Sequence, residues 1–177
     1  MNISVFKKIS GYGRISYSIC CLEKVLLHYK YPTTKWKWIL EKLWQHSTVS
    51  YFDEWCYEIA EYLPDLLLDD PIYSDEEYEY ISEQQFNILL ETYSDLNHVV
   101  IRVFRLIYEL ATADLYSKIR NSGRYTTLTY LKEITDLLEK NGIELPNYTL
   151  FFKYQYDINV NDGLGEKTGK EYSLILD

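Results

Sequence analysis

The feature that most constrains the fold is a long apolar run near the middle of the chain, from about residue 96 to residue 119. A helix over this run has one narrow polar strip, formed by Arg102, Arg105 and Glu109. A helix that is apolar on nearly every side is stable in water only when other elements surround it. The run therefore predicts a central helix inside a bundle. Its apolar residues are Val99, Val100, Ile101, Val103, Phe104, Leu106, Ile107, Leu110 and Leu115.

Several shorter segments carry apolar stripes that could surround this helix. Ile15, Ile19, Leu22 and Leu26 recur at steps of three or four residues and share one helix face. Similar stripes follow within 36–43, 52–63 and 128–138. The whole chain, residues 1–177, is short enough to form one domain. The pattern predicts a mainly α fold, a compact bundle of six to seven helices.

The C-terminal region lacks the helical period. After Pro146, the stretch "YTLFFKYQYDINV" is rich in aromatic and β-branched residues, and "NDGLGEKTG" is rich in turn formers. We expect a short irregular or β-hairpin-like segment there, with "EYSLIL" as a short strand or an ordered tail.

Charge and cysteine content narrow the possible partners. The formal net charge is −9, which argues against nucleic acid and anionic membranes as partners, because both require a basic surface. No apolar run approaches the length of a membrane span, and the N-terminus has no secretory signal. The three cysteines are an odd set with two adjacent members, which favours reduced, buried thiols in the cytoplasm.

The charge is concentrated in one part of the chain. Between Lys42 and Arg102 there are 14 acidic residues and no lysine or arginine, and we call residues 43–101 the acidic segment. Its densest part is "DDPIYSDEEYEYISEQ", residues 69–84, where three tyrosines lie among seven acids. Folded surfaces usually mix the two signs, so this stretch is the strongest indication of function.

The helical pattern predicts how these acids are arranged. Ser74 could begin a helix, and Ser82 with Gln85 could form a second cap, so residues 75–93 are predicted as one helix or two. Asp75, Glu79 and Glu83 would then form a ladder of like charges, which costs a few tenths of a kcal/mol per pair. The helix dipole favours acids in a first turn, but it does not reach Glu79 or Glu83 of such a helix.

Two interpretations of the acidic stretch stay open at this stage. It is either an ordinary solvated surface or an interface in which tyrosines supply contact area for a basic protein partner. Trp38 lies about 200° around its helix from Trp36, so it either packs on another element or contacts a partner. The candidate partner-binding residues are Asp69, Asp70, Tyr73, Asp75, Glu76, Tyr78, Glu79, Tyr80, Glu83 and Trp38.

The sequence contains no recognised catalytic motif, so we expect no catalytic residue, no cofactor and no bound metal. Three partial sets of metal-binding or nucleophilic residues occur, and each lacks partners that its chemistry needs. They are Glu91 with Asp95 and His98, Asp69 with Asp70 and Asp75, and Cys20 with Cys21 and His28. If the acidic stretch does not serve to bind and block a basic protein, the alternatives are a helical adaptor and, less favoured, a small metal-dependent hydrolase.

Three tracts also carry a resemblance to a known family. They are "WKWILEKLWQHSTVSYFDEWCYEIAEYLPDLLLDD", "LPNYTLFFKYQYD" and "DGLGEKTG". Their order resembles the helical immunity proteins encoded beside bacterial polymorphic toxins, specifically the family catalogued as immunity protein 6. The resemblance implies a cytoplasmic antidote that binds a cognate toxin and blocks it. It implies no catalytic residue.

Overall fold

A computed structural model describes residues 2–115 and 123–176, and the described chain is mainly helical, as predicted. Seven α-helices and four short 3₁₀-helices occur in these ranges. No helix among the described residues has both the length and the apolar surface needed to cross a membrane. The α-helices are α1 Gly11–His28, α2 Thr33–Leu43, α3 Phe52–Ala60, α4 Pro64–Asp69, α5 Glu83–Tyr93, α6 His98–Leu115 and α7 Gly123–Lys140.

Helix α6 is the central element that the sequence predicts. Along it, Val99, Val103, Phe104, Ile107 and Leu110 have no solvent exposure. It packs against α1, α3, α4 and α7, and its contact with α7 is the most extensive between any two helices. The bundle is therefore built around this helix. The predicted continuation of the run beyond residue 115, to about residue 119, lies outside the described residues.

Helix α1 is buried on more sides than its apolar stripe predicts. The predicted face is buried, and so are the polar side chains of Arg14, Ser16 and Glu23 elsewhere on the helix. Ser10 caps its first turn by accepting a hydrogen bond from the N–H of Gly13. A Cβ atom at Gly13 would lie 2.6 Å from a methyl carbon of Ile9, so the chain before α1 requires glycine at this close approach.

The C-terminal segment, residues 141–176, packs against α1 and contains no strand. The hairpin-like interpretation is therefore wrong and the irregular one is correct. The segment's one β-type pairing is an isolated antiparallel bridge between Ile9 and Gln155. The aromatic residues that suggested strands pack instead against helix α1. The Phe151 and Tyr17 rings, for example, meet edge to face with their centres 5.7 Å apart.

The predicted helix over residues 75–82 does not form. Ser74 begins a single turn, because its carbonyl accepts hydrogen bonds from the N–H groups of Glu77 and Tyr78, but the turn does not continue. Helix α5 starts only at Glu83, after a capping box between Ser82 and Gln85. The sequence therefore contained a correct start signal and a misleading one. The prediction of a like-charge ladder is therefore wrong, because Asp75 and Glu79 lie outside any helix.

Candidate functional site

The densest acids lie in a loop that joins α4 to α5, and we call residues 70–82 the acidic loop. Only Ile81 of these residues is fully buried. Each of the other side chains reaches solvent at least in part. The loop is nevertheless fixed at two places, at residues 79–81 and at the rings of Tyr73 and Tyr78, which flank the turn begun by Ser74.

The first fixing point is the carboxylate of Glu61, just after α3. Its Oε1 accepts a hydrogen bond from the N–H of Glu79 at 2.8 Å. Its Oε2 accepts from Tyr80 at 2.9 Å and from Ile81 at 3.0 Å. Three consecutive backbone groups thus converge on one carboxylate, and hydrogen bonds to a charged acceptor are stronger than those between neutral groups.

The second fixing point is a group of three aromatic rings. Tyr73 and Tyr78 stack with their ring centres 5.6 Å apart, and each meets the buried ring of Phe86 at a steep angle. The Tyr73 hydroxyl also donates to Asp75 at 2.9 Å, and this bond is the main reason why the pKa of Tyr73 is raised. Both tyrosines were predicted as partner contacts, and the structure shows that part of each ring packs within the protein while part stays exposed.

The acids of the wider segment divide into paired and unpaired groups. Glu58 pairs with Lys42 at 2.6 Å, Asp65 with Arg105 at 2.6 Å and Glu91 with Lys35 at 2.8 Å. All three cations come from outside the acidic segment. In residues 2–115 and 123–176, none of the following exposed acids has an ion pair: Asp69, Asp70, Asp75, Glu76, Glu77, Glu79 and Glu83.

Unpaired acids of this kind are not explained by helix dipoles. Asp69 ends α4 and Asp70 caps it, which is the end of a helix where the dipole disfavours negative charge. Asp75, Glu76 and Glu79 belong to no helix. Only Glu83 occupies a first turn. The structure thus removes the dipole explanation for most of the acids in the loop.

Exposed apolar side chains lie among these acids, and the sequence analysis did not identify them. Ile72 is 70% exposed, and Leu66 and Leu68 project from α4 on either side of the buried Leu67. The signal was present in "PDLLLDD", because a helix of six residues cannot bury three consecutive leucines on one face. An apolar centre with a polar rim is the usual composition of a protein-binding surface.

An open groove of about 720 Å³ runs between α3 and the tip of the loop. Tyr57, which is 54% exposed, and Ala60 line the α3 side. Residues 75–80 line the other side, including Tyr80, whose ring is half-buried. Burial, followed by the nearby charge of Glu79, raises the pKa of Tyr80. The groove therefore combines carboxylates with tyrosine rings.

The other candidates divide as follows. Trp38 is half-buried, and its ring centre lies 5.4 Å from that of the buried Tyr62, so it packs on another element and keeps one edge in solvent. The structure brings the rest of the candidates together on and beside the loop. The acids Asp69, Asp70, Asp75, Glu76, Glu79 and Glu83 are exposed, and Tyr73, Tyr78 and Tyr80 are half-buried.

A second polar cluster is buried beneath the C-terminal segment. Ser16 Oγ lies 3.1 Å from His46 Nε2, and Thr168 Oγ1 lies 3.0 Å from the same nitrogen. The other ring nitrogen, Nδ1, lies 3.1 Å from the carbonyl oxygen of Leu43, which can only accept, so Nδ1 carries the proton. Burial lowers the pKa of His46 to about 4.

This cluster resembles a serine nucleophile with its base, but its placement is structural. Ser16 and His46 have no solvent exposure, and Ser47 beside them is 1% exposed. Ser47 Oγ donates to the carbonyl of Thr168 and accepts from its N–H. A reacting group would have to displace the C-terminal segment to reach the pair. The cluster therefore joins that segment to α1 and to the chain after α2.

The partial sets of metal-binding or nucleophilic residues do not assemble. Cys20, Cys21 and Cys56 are free and buried, and burial raises the pKa of all three thiols, that of Cys56 to about 12. Glu91 is engaged with Lys35, whereas His98 is exposed at the start of α6. Within residues 2–115 and 123–176, no three His, Cys, Asp or Glu side chains are grouped closely enough to hold a metal ion.

Comparisons of this chain with protein-family models, with curated proteins and with solved structures give no match. The observations that bear on function are therefore the geometry and charge of the acidic loop and its surroundings.

Proposed function

We propose that this chain is a non-enzymatic immunity protein that binds and neutralises a cognate, basic toxin domain in the cytoplasm of the bacterium that makes it. The observation that carries the proposal is the set of exposed acids without ion-pair partners, held in a fixed loop rather than in a mobile tail. The resemblance of the sequence to the immunity protein 6 family supports the same class.

The charge of the loop suits a protein partner. Unpaired carboxylates repel one another, so they lower the stability of the free protein slightly. A basic surface that approaches them reduces this repulsion. Opposite charge also accelerates the encounter and selects against acidic partners. Ile72 and Leu68, next to these acids, supply apolar area that a folded partner would cover.

The first test is neutralisation in cells. A toxin domain encoded next to the gene for this chain is expressed with and without it, and survival is measured. We expect growth only when this chain is present. Failure to neutralise any such domain would reject the immunity function and favour the helical adaptor.

The second test asks whether the acidic loop is the contact. Reversing Glu76 and Glu79 to lysine should lower the association rate with the toxin domain by about tenfold and flatten its salt dependence. The control reverses Glu41 and Glu166, which are exposed acids of α2 and of the C-terminal segment and form no ion pair within residues 2–115 and 123–176. Both variants change the net charge equally. Equal effects in the two variants would show a general charge effect and place the contact elsewhere.

A further inference from the structure

The anchoring of the acidic loop by Glu61 points to a role that the sequence does not show. Glu61 is one of the 14 acids of the acidic segment, and by charge alone it would count as part of the binding surface. Instead, its carboxylate is occupied by the N–H groups of three consecutive loop residues. We propose that Glu61 is the positioning residue of the loop, which sets the direction in which Glu79 and Tyr80 face a partner.

The geometry around the anchor supports this role. The side chains of residues 79–81 lie in three different environments. That of Glu79 is exposed, that of Tyr80 lines the groove, and that of Ile81 is in the core with 2% exposure. The capping box of α5 begins at the next residue, Ser82. Between the aromatic stack at Tyr78 and this cap, the Glu61 carboxylate accepts from the N–H groups of residues 79–81, and the backbone has a further contact there, at 3.4 Å between the Tyr73 hydroxyl and the Ile81 carbonyl oxygen.

The alternative is that the loop would keep its shape without Glu61, because the packed side chains of Tyr78 and Ile81 hold the backbone on either side of residues 79 and 80. The two ideas differ at three amide groups. If Glu61 positions the loop, its loss exposes the N–H groups of residues 79–81 to water and lets the backbone between Tyr78 and Ile81 rotate. If it does not, those amides stay protected by the surrounding packing.

Amide hydrogen exchange of the free protein separates these cases without a partner. In the wild-type chain, we expect the amides of Glu79, Tyr80 and Ile81 to exchange at least about tenfold more slowly than that of the exposed Asp75. Glu61→Ala should abolish this protection and leave the amides of α6 unchanged. Glu61→Gln keeps one acceptor oxygen and should retain part of it. The control is Glu54→Gln, seven residues earlier, which should have no effect.

Binding kinetics then test positioning as distinct from local stability, and this part rests on the proposed function. With the toxin domain, Glu61→Ala should raise the dissociation rate about tenfold and change the association rate less than twofold, since a wrongly oriented loop still carries its charge. Unchanged amide exchange overturns the anchor itself. Lost protection with unchanged dissociation shows that Glu61 stabilises the loop without positioning it. If the wild-type chain binds no toxin domain, the proposed function fails while the exchange result still decides the anchor.

Discussion

The acidic loop and the C-terminal segment are both irregular, and in each a glutamate from the helical part of the chain accepts several hydrogen bonds. In the loop, Glu61 accepts from three backbone N–H groups. In the C-terminal segment, Glu23 of α1 accepts from the Leu174 N–H, the Ser173 hydroxyl and the indole N–H of Trp44. The same device therefore holds two segments whose surroundings differ in almost every other respect.

The difference lies in what each segment buries. Glu23 has no solvent exposure, and the C-terminal segment adds Phe151, Tyr154 and Thr168 to the interior. The acidic loop buries Ile81 alone and leaves its acids in water. One glutamate thus contributes to a packed interior, whereas the other holds a loop whose side chains stay available. The comparison teaches that an irregular segment can be ordered either by burying many of its own side chains or by a few local anchors, here Glu61 and the Tyr73–Tyr78 stack.

The largest expected effect is the loss of the buried anchor. Glu23→Ala leaves three donors without their acceptor in a site closed to water, and it should lower the free energy of unfolding by about 4 kcal/mol. Glu61→Ala, at a partly exposed site, should cost only about 1 kcal/mol, because water replaces the carboxylate. Urea unfolding of both variants measures the difference. Equal losses would mean that the two segments are anchored alike.

The next effect is a dependence of stability on pH that arises from His46, which is buried beneath the C-terminal segment. His46 has a pKa of about 4 in the folded protein, compared with its ordinary value of 6.5. Between these values the unfolded chain binds a proton that the folded chain does not. The contribution of His46 to the free energy of unfolding is therefore fully present above pH 6.5. It is lost as the pH decreases to 4, by up to about 3 kcal/mol.

The measurement for this prediction compares the wild-type chain with His46→Gln across that pH range. Burial raises the pKa of Glu23, so this group acts in the opposite direction in both proteins. The difference between the two curves isolates His46. A wild-type curve parallel to that of the variant would contradict a neutral, buried imidazole.

The smallest effect compares one substitution in both segments. The Tyr154 hydroxyl lies 3.0 Å from that of Tyr172 in a largely buried site, and Tyr154→Phe should lower the free energy of unfolding by about 1 kcal/mol. The Tyr73 hydroxyl donates to the exposed Asp75 at 2.9 Å and makes a longer contact, 3.4 Å, with the Ile81 carbonyl oxygen, so Tyr73→Phe should lower the free energy of unfolding less than Tyr154→Phe does. Thermal unfolding of the two variants is the check. A loss at Tyr73 as large as that at Tyr154 would show that the loop contributes to global stability after all.

The sequence predicted the helices well because the helical period is a local property. The apolar run of α6 and the Ser82–Gln85 cap need only neighbouring residues to be recognised. The first turn after Ser74 carries an equally good local signal, yet it is overridden by Glu61, a residue more than ten positions earlier in the chain. The aromatic C-terminal residues likewise pack against α1 rather than pair as strands. In both places a contact distant in sequence decides the structure.

The candidate site was predicted in part for the same reason. Charge can be counted along the chain, so the exposed acids were found. The sequence could not show that the Tyr73 and Tyr78 rings pack against Phe86, nor that Leu66, Leu68 and Ile72 remain exposed. Orientation depends on where the loop is fixed, and only the fold supplies that information.

The Glu61 anchor has a consequence for how such a surface can change over time. The three groups that it binds are backbone N–H groups, which every residue except proline provides. Substitutions at Glu79 and Tyr80 therefore leave the anchor intact, while Ile81 is constrained by the core. A lineage of such proteins could alter the two displayed side chains, and with them its choice of partner, while the path of the loop is inherited unchanged.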